Sequence, residues 1–377
     1  MPWGQGGGRI LVIMPAGRAM PVPCPALARG LSRRHGYHMQ LGHHRNLVAA
    51  SLVCAMATLG AGAGPVALKL PGGSGGIGFD DLQFVPALDR VLVPAGRTGE
   101  LDLVDAKSGR IEEIGGFSQT GMYRSGHGQG ITSADFGAGF IFVTDRSAKL
   151  LDVVDARRKR VVERTRLAAG PDYVRFVRVL RQVWVTEPDA QRIEVLEFKN
   201  KDVPTTRHSG FIAVPGGPES LVVDEARGCA YSNLWSGTSV EVSLRSGRII
   251  ARWRNGCKGS RGLALDAQRG LLLVGCAEGK LSVLSTKTGN ELGSILSGSG
   301  VDIIAYSREL QHAYLPGARS ATMAIIGISG AGVPRLLTAV HTAQGAHCVT
   351  ADNLGNIYVC DPKKGELLVF RDFAASR

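Results

Sequence analysis

The segment from Asn255 to Ser285, NGCKGSRGLALDAQRGLLLVGCAEGKLSVLS, decides the fold class. Two apolar runs, 262–265 and 271–274, flank a polar connection, and a third run at 281–284 follows a loop that contains glycine. This order predicts an up-and-down β-meander. Because the first two runs are too continuously apolar to have one face in water, we expect similar sheets to cover both faces.

The same meander recurs along the chain with a nearly constant period. We take as the register position the residue that ends the apolar part of each second strand, and it recurs at spacings of 50, 42, 47, 42, 41 and 44 residues. Four-stranded propeller blades repeat at about this length. The register positions are Val93, Val143, Val185, Ser232, Val274, Leu315 and Val359.

The sequence therefore predicts an all-β fold, a seven-bladed β-propeller of four-stranded antiparallel blades. The seventh unit ends at Phe370 after its third strand. We expect the segment from Val66 to Leu70 to supply the missing strand, because closure of the last blade by the N-terminal strand removes exposed sheet edges. A Greek-key sandwich is the alternative; it accounts for the strands but not for the period.

Charge and hydropathy separate a leader from a globular body. The net charge is +12, but residues 1–64 hold six arginines and no acid, which leaves 38 basic and 32 acidic residues, or +6. Residues 1–38 predict a mis-annotated or disordered extension before a start at Met39. Residues 39–63 predict a signal peptide whose apolar run, 47–59, is too short to span a bilayer comfortably, although a membrane anchor is the alternative.

The propeller then occupies residues 64–377, and we expect a periplasmic or secreted monomer without a stable membrane span. No Lys/Arg-rich tail typical of nucleic-acid binding appears, so nucleic acid is the least supported partner class. The sequence also lacks a Gly-x-Ser-x-Gly elbow, a phosphate-binding loop and a His-Glu-x-x-His motif. We expect a binding or scaffold protein that recognises a partner protein or small ligand at the mouth of the central channel.

Three second strands carry a family-like motif. The stretches FIFVTD, VWVTE and IYVCD resemble the Tyr-Val-Thr-Asn signature of the YVTN-repeat propellers, and residues 66–370 resemble bacterial YncE-like secreted proteins. This resemblance implies a seven-bladed, mostly extracytoplasmic binding scaffold. The stretch GPDYVRFVRVLRQVWVTEPDAQRIEVL is similar to a blade of streptogramin B lyases and gluconolactonases. That second resemblance implies the alternative function, a metal-dependent lactonase or lyase.

Polar residues recur where the inner strands begin, 13 residues before the register position, and where the second strands end, two residues after it. Since both points lie on the same side of a blade, we expect one channel mouth to collect them as a ligand-binding site. The alternative is that these residues cap turns or bind backbone N–H groups. The candidates are Asp80, Gln129, Asp172, Glu219, Arg261, Asp302 and His347 from the first set, and Asp145, Glu187 and Asp361 from the second.

Two further roles are assigned within this mouth. His127 and His347 are the candidates for proton transfer if the protein is an enzyme. Carboxylates from Asp80, Asp172, Glu219 and Asp302 would suit Ca²⁺ or Mg²⁺ as a cofactor. The tryptophans are instead expected to pack between blades; they are Trp184, Trp235 and Trp253.

The cysteines of the body suggest local cross-links, since an exported chain permits disulfides. Cys257 with Cys276, and Cys348 with Cys360, are each close within one predicted blade, and buried free thiols are the alternative. Cys229 is left over. A metal site drawn from His341, His347, Cys348 or Cys360 has no CxxC or HxxH spacing to support it.

Overall fold

The computed structural model describes residues 64–200 and 203–373. These residues form seven four-stranded antiparallel sheets, so the predicted seven-bladed β-propeller is confirmed. The described part of the chain contains no helix of the length and apolarity needed to span a membrane. The predicted extension and signal peptide, residues 1–63, lie outside the described residues.

Blades 1 to 6 each run outward from the channel in chain order. The strands of blades 1 to 3 are β2 (Gln83–Val85), β3 (Arg90–Pro94), β4 (Glu100–Asp105), β5 (Ile111–Gly115), β6 (Ile131–Gly137), β7 (Phe140–Asp145), β8 (Leu150–Asp155), β9 (Arg160–Arg166), β10 (Val174–Val177), β11 (Gln182–Glu187), β12 (Arg192–Asn200) and β13 (Pro204–Ala213). The strands of blades 4 to 6 are β14 (Val222–Asp224), β15 (Cys229–Leu234), β16 (Thr238–Ser243), β17 (Arg248–Arg254), β18 (Ser260–Asp266), β19 (Leu271–Cys276), β20 (Lys280–Ser285), β21 (Glu291–Leu296), β22 (Ala305–Ser307), β23 (His312–Gly317), β24 (Thr322–Ile328) and β25 (Pro334–His341). A short 3₁₀ turn, Arg178–Leu180, joins β10 to β11.

Blade 7 closes the ring by combining the first described strand with the last three. It is built from β26 (Val349–Ala351), β27 (Asn356–Asp361), β28 (Glu366–Arg371) and, at its outer edge, β1 (Val66–Lys69). Strand β1 pairs with β28 in antiparallel register, with Val66 opposite Val369. The inner strands β26 and β2 also lie beside each other, so the first and last blades meet. This closure is the one that the sequence predicts.

Burial is greatest in the second strand of a blade, because the innermost strand lines the channel and the outermost strand meets water. Every residue of β19 is buried, whereas exposed and half-exposed residues alternate along β21. Apolar side chains of neighbouring blades pack together between the sheets; Leu92 and Leu101 of blade 1, for example, share a cluster with Ile141 of blade 2. The core is therefore a series of layers between blades.

Four third strands carry an acid nine residues after the register position. Two of these acids have partners: Asp152 binds Arg164 at 2.8 Å, and Glu194 lies 3.1 Å from the Nδ1 atom of His208. Asp102 is fully buried, and neither of its carboxylate oxygens has a hydrogen-bond partner. Burial, followed by the charges of two neighbouring glutamates, raises the pKa of Asp102 to about 8. Asp102 is therefore largely protonated at neutral pH.

Candidate ligand-binding site at the channel mouth

A cavity of 540 Å³, which we call the mouth cavity, opens where the inner strands begin. Charged and polar side chains from successive blades converge on it, as the position 13 residues before the register predicts. The sequence-predicted residues that line it are Asp80, His127, Asp172, Glu219, Arg261 and Asp302. Its volume lies within the range of small-molecule sites, about 300 to 1,000 Å³.

His127 lies between two carboxylates of the mouth cavity. Its Nδ1 atom is 2.8 Å from Oδ2 of Asp80, and its Nε2 atom is 3.6 Å from Oδ2 of Asp302. The charge of Asp80 raises the pKa of His127 to about 9. Burial opposes ionisation of Asp80, but the charges of His127 and Arg146 outweigh it and lower the pKa of that carboxyl. At neutral pH the site thus holds an imidazolium between two acids.

Arg146 ties a second pair of acids together. Its Nη2 atom contacts Oδ1 of Asp172 and lies 3.5 Å from Oδ2 of Asp80, while its Nε–H donates to the Pro171 carbonyl at 2.8 Å. Burial, and then the charge of Asp80, raise the pKa of Asp172 well above its usual value despite the arginine. Two carboxylates therefore share one guanidinium, and their ionisation is linked.

The opposite side of the cavity is formed by Glu219, Arg261 and Trp235. The Nη1 atom of Arg261 is 3.7 Å from Glu219, and its Nε atom is 3.9 Å from Asp302. The indole N–H of Trp235 donates to Glu219, while 45% of this residue stays exposed. Burial, and then the charge of Asp302, raise the pKa of Glu219 to about 7. A fixed aromatic face thus adjoins a carboxyl that gains or loses a proton near neutral pH.

The structure corrects the position of the second predicted set, because its side chains are buried away from the mouth cavity and bind backbone or neighbouring cations. Asp145 accepts the N–H groups of Ser118 and Ala148 at 2.8 and 3.0 Å. Glu187 accepts the Ala169 N–H and pairs with Arg192 at 2.6 Å. Asp361 similarly accepts a hydrogen bond from the backbone N–H three residues later. The turn-capping alternative therefore describes this set.

Gln129 and His347 also lie outside the cavity lining. Gln129 is exposed and accepts a hydrogen bond from the Thr120 hydroxyl at 3.0 Å. The true inner-strand position in blade 2 belongs to Gly130, where a positive φ of 71° and the nearby Gly96 carbonyl leave no room for a side chain. His347 is buried directly behind His127, with the two ring centres 5.4 Å apart.

The four carboxylates proposed for Ca²⁺ or Mg²⁺ line one cavity but do not form a coordination shell. Among the described residues, no three of them bring oxygens within 4.8 Å of one another, because guanidinium and imidazole groups lie between them. The group at the mouth that does meet this distance is His127, Asp302 and His347. The Ca²⁺ or Mg²⁺ cofactor stays a prediction.

The mouth cavity also has lining residues that were not expected from the sequence, among them Arg146, Lys149, Tyr173, Asp189 and Trp235. Arg146 and Trp235 both stand three residues after their register positions, one residue beyond the set described above. Because successive side chains of a strand point to opposite faces, this single step separates a buried acid from a cavity-lining residue. Trp235 also contradicts the expectation that the tryptophans pack between blades.

A second cavity, of 510 Å³, lies along the inner strands and shares Tyr173 with the mouth cavity. Its lining combines apolar side chains, for example Leu263 and Ile304, with polar surface. Its charged residues are Asp81 and Arg175, which bind each other at 2.7 Å, and Arg308 and Glu309. The mouth cavity is the functional candidate because it holds His127 and Glu219, whose pKa values are shifted to about 9 and about 7, beside the exposed face of Trp235.

The cysteines form one of the two predicted disulfides. Cys257 is joined to Cys276, with Cα atoms 5.3 Å apart. Cys348 and Cys360 remain thiols, which corrects the second predicted pair. The Cys360 sulfur instead accepts the backbone N–H groups of His347 and Cys348, at 3.4 and 3.1 Å, and so faces the backbone of the inner strand.

Comparison with known proteins supports the fold. A chain in the crystal structure of a mitotic checkpoint complex aligns with a TM-score of 0.68 and 13% identity, over 91% of this chain and 99% of that one. Kuenenia stuttgartiensis hydrazine synthase aligns with a TM-score of 0.63 and 12% identity, over 79% of this chain and 96% of that one. The β-propeller domain of Myceliophteria thermophila Cps50 (Swd1) aligns with a TM-score of 0.62 and 11% identity, over 81% of this chain and 99% of that one. No family model and no curated protein matches the sequence.

Proposed function

We propose that this propeller is an exported binding protein that recognises a small polar ligand carrying a ring. The observation that carries the proposal is Trp235, a half-exposed aromatic face fixed by Glu219 inside an otherwise charged cavity. A ring of a sugar or heterocycle would stack on this face. Its hydroxyl or amino groups would meet the carboxylates, and Arg261 would donate to its oxygens.

A concave cavity favours a small molecule over a protein surface, although a single side chain of a partner protein would meet the same groups. Export is supported by the Cys257–Cys276 disulfide, since disulfides persist in oxidising compartments. Membership of the YVTN-repeat, YncE-like propellers is likewise a proposal, supported by the motifs of three second strands.

Calorimetric titration of the purified protein with a panel of sugars, nucleosides and amines tests the proposal, with quenching of tryptophan fluorescence as a second readout. We expect one ligand per chain and a loss of about 10-fold or more in affinity for Trp235→Ala, since stacking on an aromatic side chain contributes about 1–3 kcal/mol. Arg261→Ala should also weaken binding. Arg157→Ala is the matched control, because Arg157 is exposed in the turn between β8 and β9.

The alternative is a metal-dependent lactonase or lyase. It is favoured by Glu219 and His127, two groups of one cavity with pKa values of about 7 and about 9, which suit a base and an acid. Metal analysis followed by a screen of lactones separates the two functions. Turnover that depends on a divalent ion and is abolished by Glu219→Gln would replace the binding proposal with the enzymatic one.

A further inference from the structure

Blade 7 places two cysteines and a histidine together behind the mouth cavity. Cys348 directly precedes β26, and Cys360 lies opposite it on β27, where its N–H donates to the Cys348 carbonyl at 3.2 Å. His347 is the neighbouring residue of the chain. One ring nitrogen and the two sulfur atoms lie within 4.8 Å of one another, and both thiols are fully buried.

The position of Cys360 has a structural role elsewhere in the ring that does not need sulfur. In blades 2 and 3 the equivalent residues are Thr144 and Thr186, whose hydroxyls accept inner-strand N–H groups at 3.1 and 2.8 Å. The Cys360 sulfur accepts the corresponding N–H, that of Cys348, at 3.1 Å. A threonine therefore suffices for this bond. The pairing of two facing sulfur atoms with an adjacent imidazole needs another explanation.

Two thiolates and one imidazole are the ligands that Zn²⁺ and Cu⁺ prefer in proteins. Bonds of about 2.3 Å to sulfur and about 2.0 Å to nitrogen place such ligands about 3.5–4 Å apart, so the present separations require only small side-chain shifts. The Nε2 atom of His347 is 2.9 Å from the Phe79 carbonyl, a contact that fixes the ring. The Nδ1 atom is 4.0 Å from the Cys360 sulfur.

We propose that His347, Cys348 and Cys360 bind one thiophilic metal ion, Zn²⁺ or Cu⁺, behind the mouth cavity. In the metal-free arrangement Nδ1 of His347 lies 2.7 Å from the Gly345 carbonyl and donates to it, so the ion replaces this proton. The two thiol protons are released as well. The ion reaches the site past His127, whose ring lines the cavity and lies 5.4 Å from that of His347.

His347 also belongs to a second group, with His127 and Asp302. That group is already engaged, because His127 lies 2.8 Å from Asp80, and Asp302 lies near both His127 and Arg261. The two thiols instead lie beside each other and beside the His347 ring, whose Nδ1 atom is 4.0 Å from the Cys360 sulfur. The cysteine set is therefore the one to which we assign the ion, independently of the ligand proposed for the mouth.

Metal titration of the full chain tests the assignment. All samples carry Cys24→Ser and Cys54→Ser, so that the thiols of the leader do not contribute. Metal-free protein, treated with a mild reductant that leaves the Cys257–Cys276 disulfide intact, is titrated with Zn²⁺ or Cu⁺ against a chromophoric chelator, and with Co²⁺ to observe thiolate-to-metal absorption. We expect one ion per chain, two fewer reactive thiols after binding and a higher melting temperature. The chelator affinities show which of the two ions the site prefers.

Cys360→Thr is the decisive variant because threonine keeps the backbone bond seen in blades 2 and 3. It should remain folded and bind the metal about 100-fold more weakly or worse. Cys229→Ser, at another buried free thiol, should bind as the parent does. The proposal is overturned if neither ion binds stoichiometrically to reduced protein, or if binding survives in Cys360→Thr and is lost in His127→Gln.

Discussion

Replacing Asp102 with asparagine should stabilise the protein, and the gain should grow with pH. The pKa of this carboxyl rises from 3.8 in the unfolded chain to about 8 in the fold. Above pH 3.8 the unfolded state gives up the proton that the folded state keeps, so folding costs about 1.4 kcal/mol more for each pH unit up to about 8. At pH 7, about three units above 3.8, this cost is about 4 kcal/mol.

Asparagine has nearly the same shape as aspartic acid and does not ionise. The free energy of unfolding of Asp102→Asn should therefore not fall with pH in this way. Urea unfolding of both proteins between pH 5 and pH 8 measures the difference. Asp105→Asn is the matched control on the same strand, since Asp105 accepts the Ser108 N–H at 2.8 Å and its pKa is lowered. That variant should lose stability above pH 4. Parallel stability curves for Asp102→Asn and the parent would refute the assigned protonation.

Three further outcomes are expected. Leu70→Ala, at a buried site beside the closing strand, should cost about 2–4 kcal/mol in urea unfolding, whereas Val66→Ala at an exposed site should change stability by less than about 0.5 kcal/mol; equal effects would contradict the packing described. Cys257→Ser should cost about 2–4 kcal/mol relative to the oxidised parent and nothing relative to the reduced parent. The raised pKa of His127 contributes stability that is fully present below pH 6.5 and lost as the pH rises through about 9, so His127→Gln should flatten the melting temperature across that range.

The fold could be predicted because the repeat imposes the same physical demand seven times. Each second strand is buried on both faces and therefore reads as a continuous apolar run, and the spacing between runs is set by the length of a blade. The closing strand could be predicted as well, since a unit that ends at Phe370 lacks a partner for its third strand. Period and edge pairing are properties of the backbone that the sequence pattern carries directly.

The candidate site could be predicted only in part, because its geometry depends on single-residue steps. Counting 13 residues back from the register found Asp80, Asp172 and Asp302, since inner strands start at nearly constant spacing. Counting two residues forward found buried acids, whereas Arg146 and Trp235 lie one residue further. The direction of a side chain at a strand end depends on how the strand ends, which no residue pattern in this sequence marks.

The ion pairs of the site could not be predicted from the sequence either. Arg146 of blade 2 contacts Asp172 of blade 3, and His127 contacts Asp80 of blade 1, so the partners come from separate blades. Likewise, the acid at the third-strand position is paired in Asp152 and unpaired in Asp102, a difference that depends on whether the adjacent strand offers an arginine. Such contacts follow from the arrangement of the finished ring.

The pairing of β1 with β28 has a consequence for synthesis. Among the described strands, β1 is synthesised first and its partner β28 last, so β1 has no partner until β28 has emerged. Removal of either β1 or β28 opens the same sheet. Closure of the ring therefore requires both strands, and a product that terminates before β28 should keep an unpaired edge and be sensitive to aggregation and to proteases.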